Sequence, residues 1–161
     1  CIRPGVGVGV GAGASAGVGA GIGAAMGEQR ELTSPRRRQA DCIAVGLATS
    51  AFQKHTRLPG WDNESWGFHG DDGAIFHGCG KQLARFGPTF GVGDTVGCGF
   101  DAREGTIFYT LNGNNLGTAF HNVRMPADGG GYFPTVGIDS SNRLKFNFGM
   151  APFAFDLQTL L

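Results

Sequence analysis

His69, Asp71, Asp72 and His77 form the densest group of side chains in this chain that could bind a metal or move a proton. Imidazole nitrogens suit zinc and carboxylates suit calcium or magnesium, but a usable site needs three or four donors converging on one point. Spacing around a turn does not supply that convergence. In tight turns an Asp more commonly accepts hydrogen bonds from backbone N–H groups one or two residues on, so a structural role is expected for the group and no metal site. A serine nucleophile is equally unsupported, since Ser65 stands outside any G-x-S-x-G elbow. The glycine-rich segment near the N-terminus lacks the Lys-Ser/Thr ending of a phosphate loop. No catalytic residue, no cofactor and no enzymatic activity are expected.

Binding chemistry is better represented. Trp61, Trp66, Phe68, Phe108 and Tyr109 are the aromatics near the turns. Most such rings belong in a core. Trp61 at a turn and Tyr109 beside a hairpin are also placed to line a groove, because loops on a rigid β scaffold are where binding residues usually sit. The expected partner-binding set is Arg57, Trp61, Asp62, Asp71, Asp72, Tyr109, Asn112 and Asn114. It is carried by the loops Arg57–Asp62, Gly70–Gly73 and Asn112–Asn115. An aromatic anchor among adaptable hydrogen-bonding groups suits capture of a protein or a short peptide. Whether the three loops share one end of the fold is left open by the sequence.

The elements that must position these residues read as β throughout. Cys42–Ala48, CIAVGLA, is a short apolar run of the kind found in a strand buried on both faces. Trp66–His69 and Ala74–His77 are short strands on either side of a turn. Gly78–Gly93 reads as a glycine-rich connection. Thr95–Asp101 and Thr106–Leu111 alternate in the manner of an antiparallel pair. Asn112-Gly113 is a strong hairpin signal, returning the chain into Asn115–Phe120. Tyr132–Ile138 and Leu144–Phe148 supply two further strands. No helical period appears, and short strands at this spacing indicate an all-β sandwich or barrel.

Composition divides the chain. Of its 161 residues 30 are glycine, ten of them between Gly5 and Gly27. Chain entropy opposes both helix and strand in such a tract, so Pro4–Gly27 is expected to be a disordered low-complexity segment with few contacts to the rest. Its lack of charge over this length keeps a membrane span as the minor alternative. Residues 28–40, with Arg36, Arg37 and Arg38 in a row, read as a basic tether. The division is therefore 1–40 as tract and linker and 41–161 as the folded domain. Formal net charge is zero, but from Asp41 onward there are eleven acidic and eight basic side chains. A mildly acidic domain disfavours a nucleic-acid partner. Cys1, Cys42, Cys79 and Cys98 have no short-spaced pairing and read as free thiols of a cytoplasmic or nuclear protein. Without an initiator Met, the chain reads as a piece of a longer one.

The run Leu58–Gly73, LPGWDNESWGFHGDDG, resembles the signature of SPRY domains, in particular the Ran-binding-protein-M type. Matching positions are Leu58, Pro59, Gly60, Trp61, Asp62, Ser65, Gly67, His69, Gly70, Asp71, Asp72 and Gly73. Further landmarks follow in the family's order at Gly87–Phe90, Gly93–Asp101, Phe108–Gly113, Leu116–Phe120 and Tyr132–Ile138, and Asn147–Asp156 resembles its closing segment. The resemblance covers about residues 42–157 and implies an all-β, two-sheet antiparallel β-sandwich of concanavalin-like build. It also implies a non-catalytic protein-interaction domain. Resemblance to the Ran-binding-protein-M type further implies a scaffold subunit of a CTLH (GID) ubiquitin-ligase complex. The alternatives are the SPRY domain of a membrane-anchored ubiquitin-ligase adaptor for endosomal sorting, and a lectin-like carbohydrate-binding sandwich using Asp71 and Asp72 with calcium. Family members carry aromatic-rich strands before the segment matching Cys42–Ala48, and here the Gly-rich tract stands in their place. Either the chain is a defective or truncated gene product, or the sandwich lacks N-terminal strands, which would leave an exposed sheet edge.

Overall fold

The run Cys42–Ala48 forms β2, with six of its seven residues buried. Its alternation explains why both faces can be covered. Ile43, Val45 and Leu47 point into the core, while Ala44, Gly46 and Ala48 present a face of small residues that another segment can approach. The computed structural model describes residues 8–11, 42–78, 80–127, 129–139 and 143–160.

Among these, the strands are β1 (Val8–Gly11), β2, β3 (Ser65–His69), β4 (Ala74–His77), β5 (Gln82–Arg85), β6 (Thr95–Asp101), β7 (Thr106–Leu111), β8 (Asn114–Phe120), β9 (Phe133–Asp139) and β10 (Lys145–Asn147). One turn of 3₁₀ helix, Leu157–Leu160, follows. Two antiparallel sheets result, in the orders β10-β1-β6-β7-β8 and β5-β4-β3-β2-β9. The two-sheet sandwich is thus the one expected. The core between the sheets centres on Phe68 of β3 and Tyr109 of β7, both fully buried, with ring centroids 5.2 Å apart. Phe86 and Phe90 close around Phe68 at 5.6 and 4.9 Å. These aromatic contacts between the sheets fix β3, and with it the signature stretch, against the rest of the fold.

Two departures from the sequence reading are informative. Val8–Gly11 lies inside the tract expected to be disordered, yet it is a strand, paired antiparallel with β6 (Val8 opposite Cys98) and with β10 (Gly9 opposite Asn147). Strand ladders use backbone N–H and C=O groups, which glycine supplies as well as any residue. Two flanking strands offset an entropy cost that the isolated segment could not. The remainder of the tract and the arginine tether lie outside the described residues. In its sheet β1 lies between β10 and β6, so β6 is not an edge. Finally, Gln82–Arg85, read as part of a connection, is the edge strand β5. All four of its residues are exposed, so it carries no apolar alternation to announce it.

Candidate functional site

The segment Leu58–Trp61 lies across the outer face of the β3-containing sheet, and its close approach depends on glycine. A Cβ on Gly67 would stand 2.1 Å from the Pro59 carbonyl oxygen, and one on Gly137 of β9 2.5 Å from Leu58. Hydrogen bonds hold the segment down. Gly60 N–H donates to Ser65 Oγ at 2.8 Å, and Ser65 Oγ–H in turn donates to Asp62 Oδ1 at 2.8 Å. The His69 ring reaches the Pro59 carbonyl oxygen through Nε2 at 2.8 Å. A carbonyl can only accept, so Nε2 carries the proton and Nδ1 is left with its lone pair.

Two polar regions follow from this arrangement, at opposite ends of the β3–β4 ribbon. β3 is five residues long, so the ends are about 16 Å apart at about 3.3 Å per residue. At the end where β3 starts and β4 finishes, Ala51, Gln53, Arg57, Asp62, Asn63, Glu64 and Gly78 line an open cleft of about 380 Å³. Arg57 Nη1 donates to the Trp61 carbonyl oxygen at 2.7 Å, and Asp62 Oδ1 also accepts from Glu64 N–H at 3.0 Å. The Glu64 carboxylate accepts from the Thr49 hydroxyl. Trp61 is 39% exposed. Its ring leans over the sheet face toward His69, with centroids 6.3 Å apart.

At the other end, the Gly70–Gly73 turn brings together Cys42, His69 and Asp71. Cys42 Sγ lies 3.8 Å from His69 Nδ1 and donates to Asp71 Oδ1 at 3.4 Å. All three potential ligand atoms fall within 4.8 Å of one another. Burial, reinforced by the carboxylates of Asp71, Asp72 and Asp139, pushes the Cys42 thiol up to about 12. Burial likewise lowers the pKa of His69, which is 3% exposed, against the opposing pull of the Pro59 carbonyl and the two turn carboxylates. The imidazole is therefore neutral at pH 7.

The sequence-derived residues are distributed unevenly over this geometry. Arg57 and Asp62 meet at the cleft, with Trp61 adjoining it. Asp71 is exposed at the opposite turn, where Asp72 Oδ1 accepts from Ala74 N–H at 2.9 Å, the backbone-capping role expected for it. Asn112 has φ +51° at the β7–β8 turn, and its side chain bonds Thr95 N–H and Asp94 at 2.8 Å each. Asn114 is exposed at the start of β8. The Gly70–Gly73 and Asn112 turns both attach to the connecting segment Gly87–Asp94. There Phe90 N–H donates to Gly70 O, and Asp94 accepts from Asn112. The three loops thus do not form one surface.

Tyr109 is a correction. It is fully buried in the core, and its hydroxyl makes no formed hydrogen bond. Burial first, then the neighbouring Cys98, pushes its pKa well above 10. Alternation along β7 turns Ile107, Tyr109 and Leu111 inward, so Tyr109 lines no surface groove. The four-residue cluster also divides. His77 stacks on Trp66 with centroids 4.5 Å apart and donates through Nδ1 to Ser65 O at 2.8 Å, away from His69. Sequence reasoning missed Asn63 and Glu64, which follow Trp61 in the signature run without matching its pattern. It also missed Cys42 as a neighbour of His69, because their sequence separation of 27 residues is bridged only by the β2–β3 register, which pairs Ala44 with His69.

Residues 31–151 match the model of the SPRY domain. The chain belongs to the SPRY-domain family. It is 41% identical over 117 residues to Ran-binding protein 9 of Xenopus tropicalis, covering 72% of this chain and 20% of the relative. The human Ran-binding protein 9 is 40% identical over the same length, with 72% and 15% covered. This SPRY chain thus spans about a fifth or less of those relatives. Among solved structures, a human SPRY domain aligns with a TM-score of 0.63 at 22% identity, over 94% of this chain and 84% of that one. The SPRY domain of human HERC1 aligns with a TM-score of 0.61 at 16% identity, over 92% and 77%. The matched SPRY segment, residues 31–151, does not include β1. No described helix is long and apolar enough to cross a membrane.

Proposed function

We propose that this SPRY domain is a non-catalytic module that holds a protein or peptide segment in the cleft beside Trp61. The supporting observation is the cleft itself: about 380 Å³, open, and lined by Arg57, Asp62, Asn63 and Glu64, with part-exposed Trp61 next to Asp62 in the chain and bonded through its carbonyl to Arg57. A large ring supplies apolar contact area, while the surrounding groups supply directional hydrogen bonds at a rim. The relationship to Ran-binding protein 9 supports a finer reading, that the chain serves a scaffold subunit of a CTLH-type ubiquitin ligase in the cytoplasm or nucleus.

Affinity capture with the full chain, compared with an Asp62→Arg variant, tests both levels. Retention of ubiquitin-ligase subunits by the first and their loss from the second is the expected result. Equal retention by both would remove the cleft from the interaction. Retention of unrelated proteins only would leave a binding module without the ligase assignment.

A further inference from the structure

We propose that Cys42, His69 and Asp71 form a zinc site at the Gly70–Gly73 end of the sandwich, independent of the cleft. A tetrahedral zinc ion with Zn–S about 2.3 Å and Zn–N or Zn–O about 2.0–2.1 Å places sulfur about 3.5 Å from the other donors. Cys42 Sγ already lies 3.8 Å from His69 Nδ1 and 3.4 Å from Asp71 Oδ1, close to that spacing, and all three donor atoms lie within 4.8 Å of one another. The imidazole is in the correct form. Its Nε2–H is committed to the Pro59 carbonyl at 2.8 Å, which leaves the Nδ1 lone pair turned toward the sulfur. A ligating histidine is commonly oriented by just such a bond from its other nitrogen.

The donor set selects the ion. Thiolate and imidazole favour zinc over calcium or magnesium, which prefer oxygen ligands throughout. The surroundings are cation-attracting, with Asp72 and Asp139 adding negative charge near Cys42. Binding displaces the thiol proton to solvent and leaves a thiolate on the metal. Asp71 is exposed and Cys42 half-buried, so an ion can reach the cluster from solvent, and water would complete the coordination. The ion would tie the start of β2 to the β3–β4 turn. This departs from the structural role expected for His69 and Asp71, because the third ligand comes from a strand remote in sequence.

The test uses the full, reduced chain with Co²⁺ as a spectroscopic probe, followed by Zn²⁺. One equivalent of Co²⁺ should produce a thiolate-to-metal charge-transfer band that Zn²⁺ then displaces. Cys42→Ser should abolish the band, and Cys79→Ser should leave it intact. Asp71→Asn changes an exposed side chain and should weaken binding by about tenfold or more, a readout that stands even if Cys42→Ser does not fold. Absence of the band, its survival in Cys42→Ser, or unchanged affinity in Asp71→Asn would each overturn the proposal.

Discussion

The two ends of the β3–β4 ribbon are made from the same signature stretch, yet they are finished differently. At the cleft end the chain leaves β2 through a long loop and returns across the sheet face, so its polar side chains surround open space. At the turn end the chain reverses in four residues, Gly70 to Gly73. Gly73 N–H donates to His69 O and Gly70 N–H to Ile43 O. With the backbone bonded so closely, side chains from β2, β3 and the turn crowd onto one another. Open polar space suits a large, shape-matched partner, whereas crowded donors suit something as small as an ion. Loop length thus sets how much open space each end leaves around its polar side chains.

The strongest way to break this contrast is to lift the segment that separates the ends. Gly67→Val would drive a side chain into the Pro59 carbonyl, since even a Cβ there would stand 2.1 Å away. Backbone cannot yield as a flexible side chain does, so a loss of about 3 kcal/mol in urea unfolding is expected. Binding at the cleft should fall with it, because Trp61 and Asp62 continue from that segment. A variant as stable as the parent would show that the segment is not held against the sheet.

A smaller effect sharpens the contrast. Trp61→Ala should weaken partner binding by about 2 kcal/mol, with a small change in melting temperature, because the ring is part-exposed and Trp61 adjoins the cleft residues Arg57 and Asp62. If melting instead shows a loss of about 3 to 5 kcal/mol, the ring acts as core and the cleft loses its anchor.

The smallest effect lies between the sheets, away from both ends. Tyr109→Phe removes a buried hydroxyl that has no formed hydrogen bond, so stability at pH 7 should be unchanged or slightly raised. Its alkaline behaviour carries the sign. Tyr109 has a folded pKa well above 10, and Cys98 is pushed from 9.0 up to about 12 by burial. Both groups keep their protons in the folded state where the unfolded chain loses them. Their contribution is complete below pH 9 and declines as pH rises through about 9 to 12. Unfolding free energy measured from pH 8 to pH 11 should fall less steeply in Tyr109→Phe, and identical slopes would contradict this.

Most of the sandwich was legible in the chain because local pattern and global burial agree there. CIAVGLA is β2 with the bounds read from it, and the alternation of Thr95–Asp101 and Thr106–Leu111 recovers β6 and β7 to the residue. The same alternation was sufficient to turn Tyr109 inward, and only its place beside a hairpin suggested a groove. Asn112-Gly113 produced the expected turn, with φ of +51° and +83°. Elements that lack a pattern of their own were hidden. β5 has no buried side chain to mark it, and β1 is held by ladders that β6 and β10 provide.

Although Asn63, Glu64 and Cys42 were passed over, several of the candidate residues could be named from the sequence, since Trp, Arg, Asp and His declare their chemistry by type. Their grouping could not. Antiparallel register brings Cys42 to His69, strand length separates Asp62 from Asp71, and stacking on Trp66 withdraws His77. Side-chain chemistry is local, whereas proximity between strands is set by hydrogen-bond register and packing across the whole sheet, and only the tertiary structure decides those.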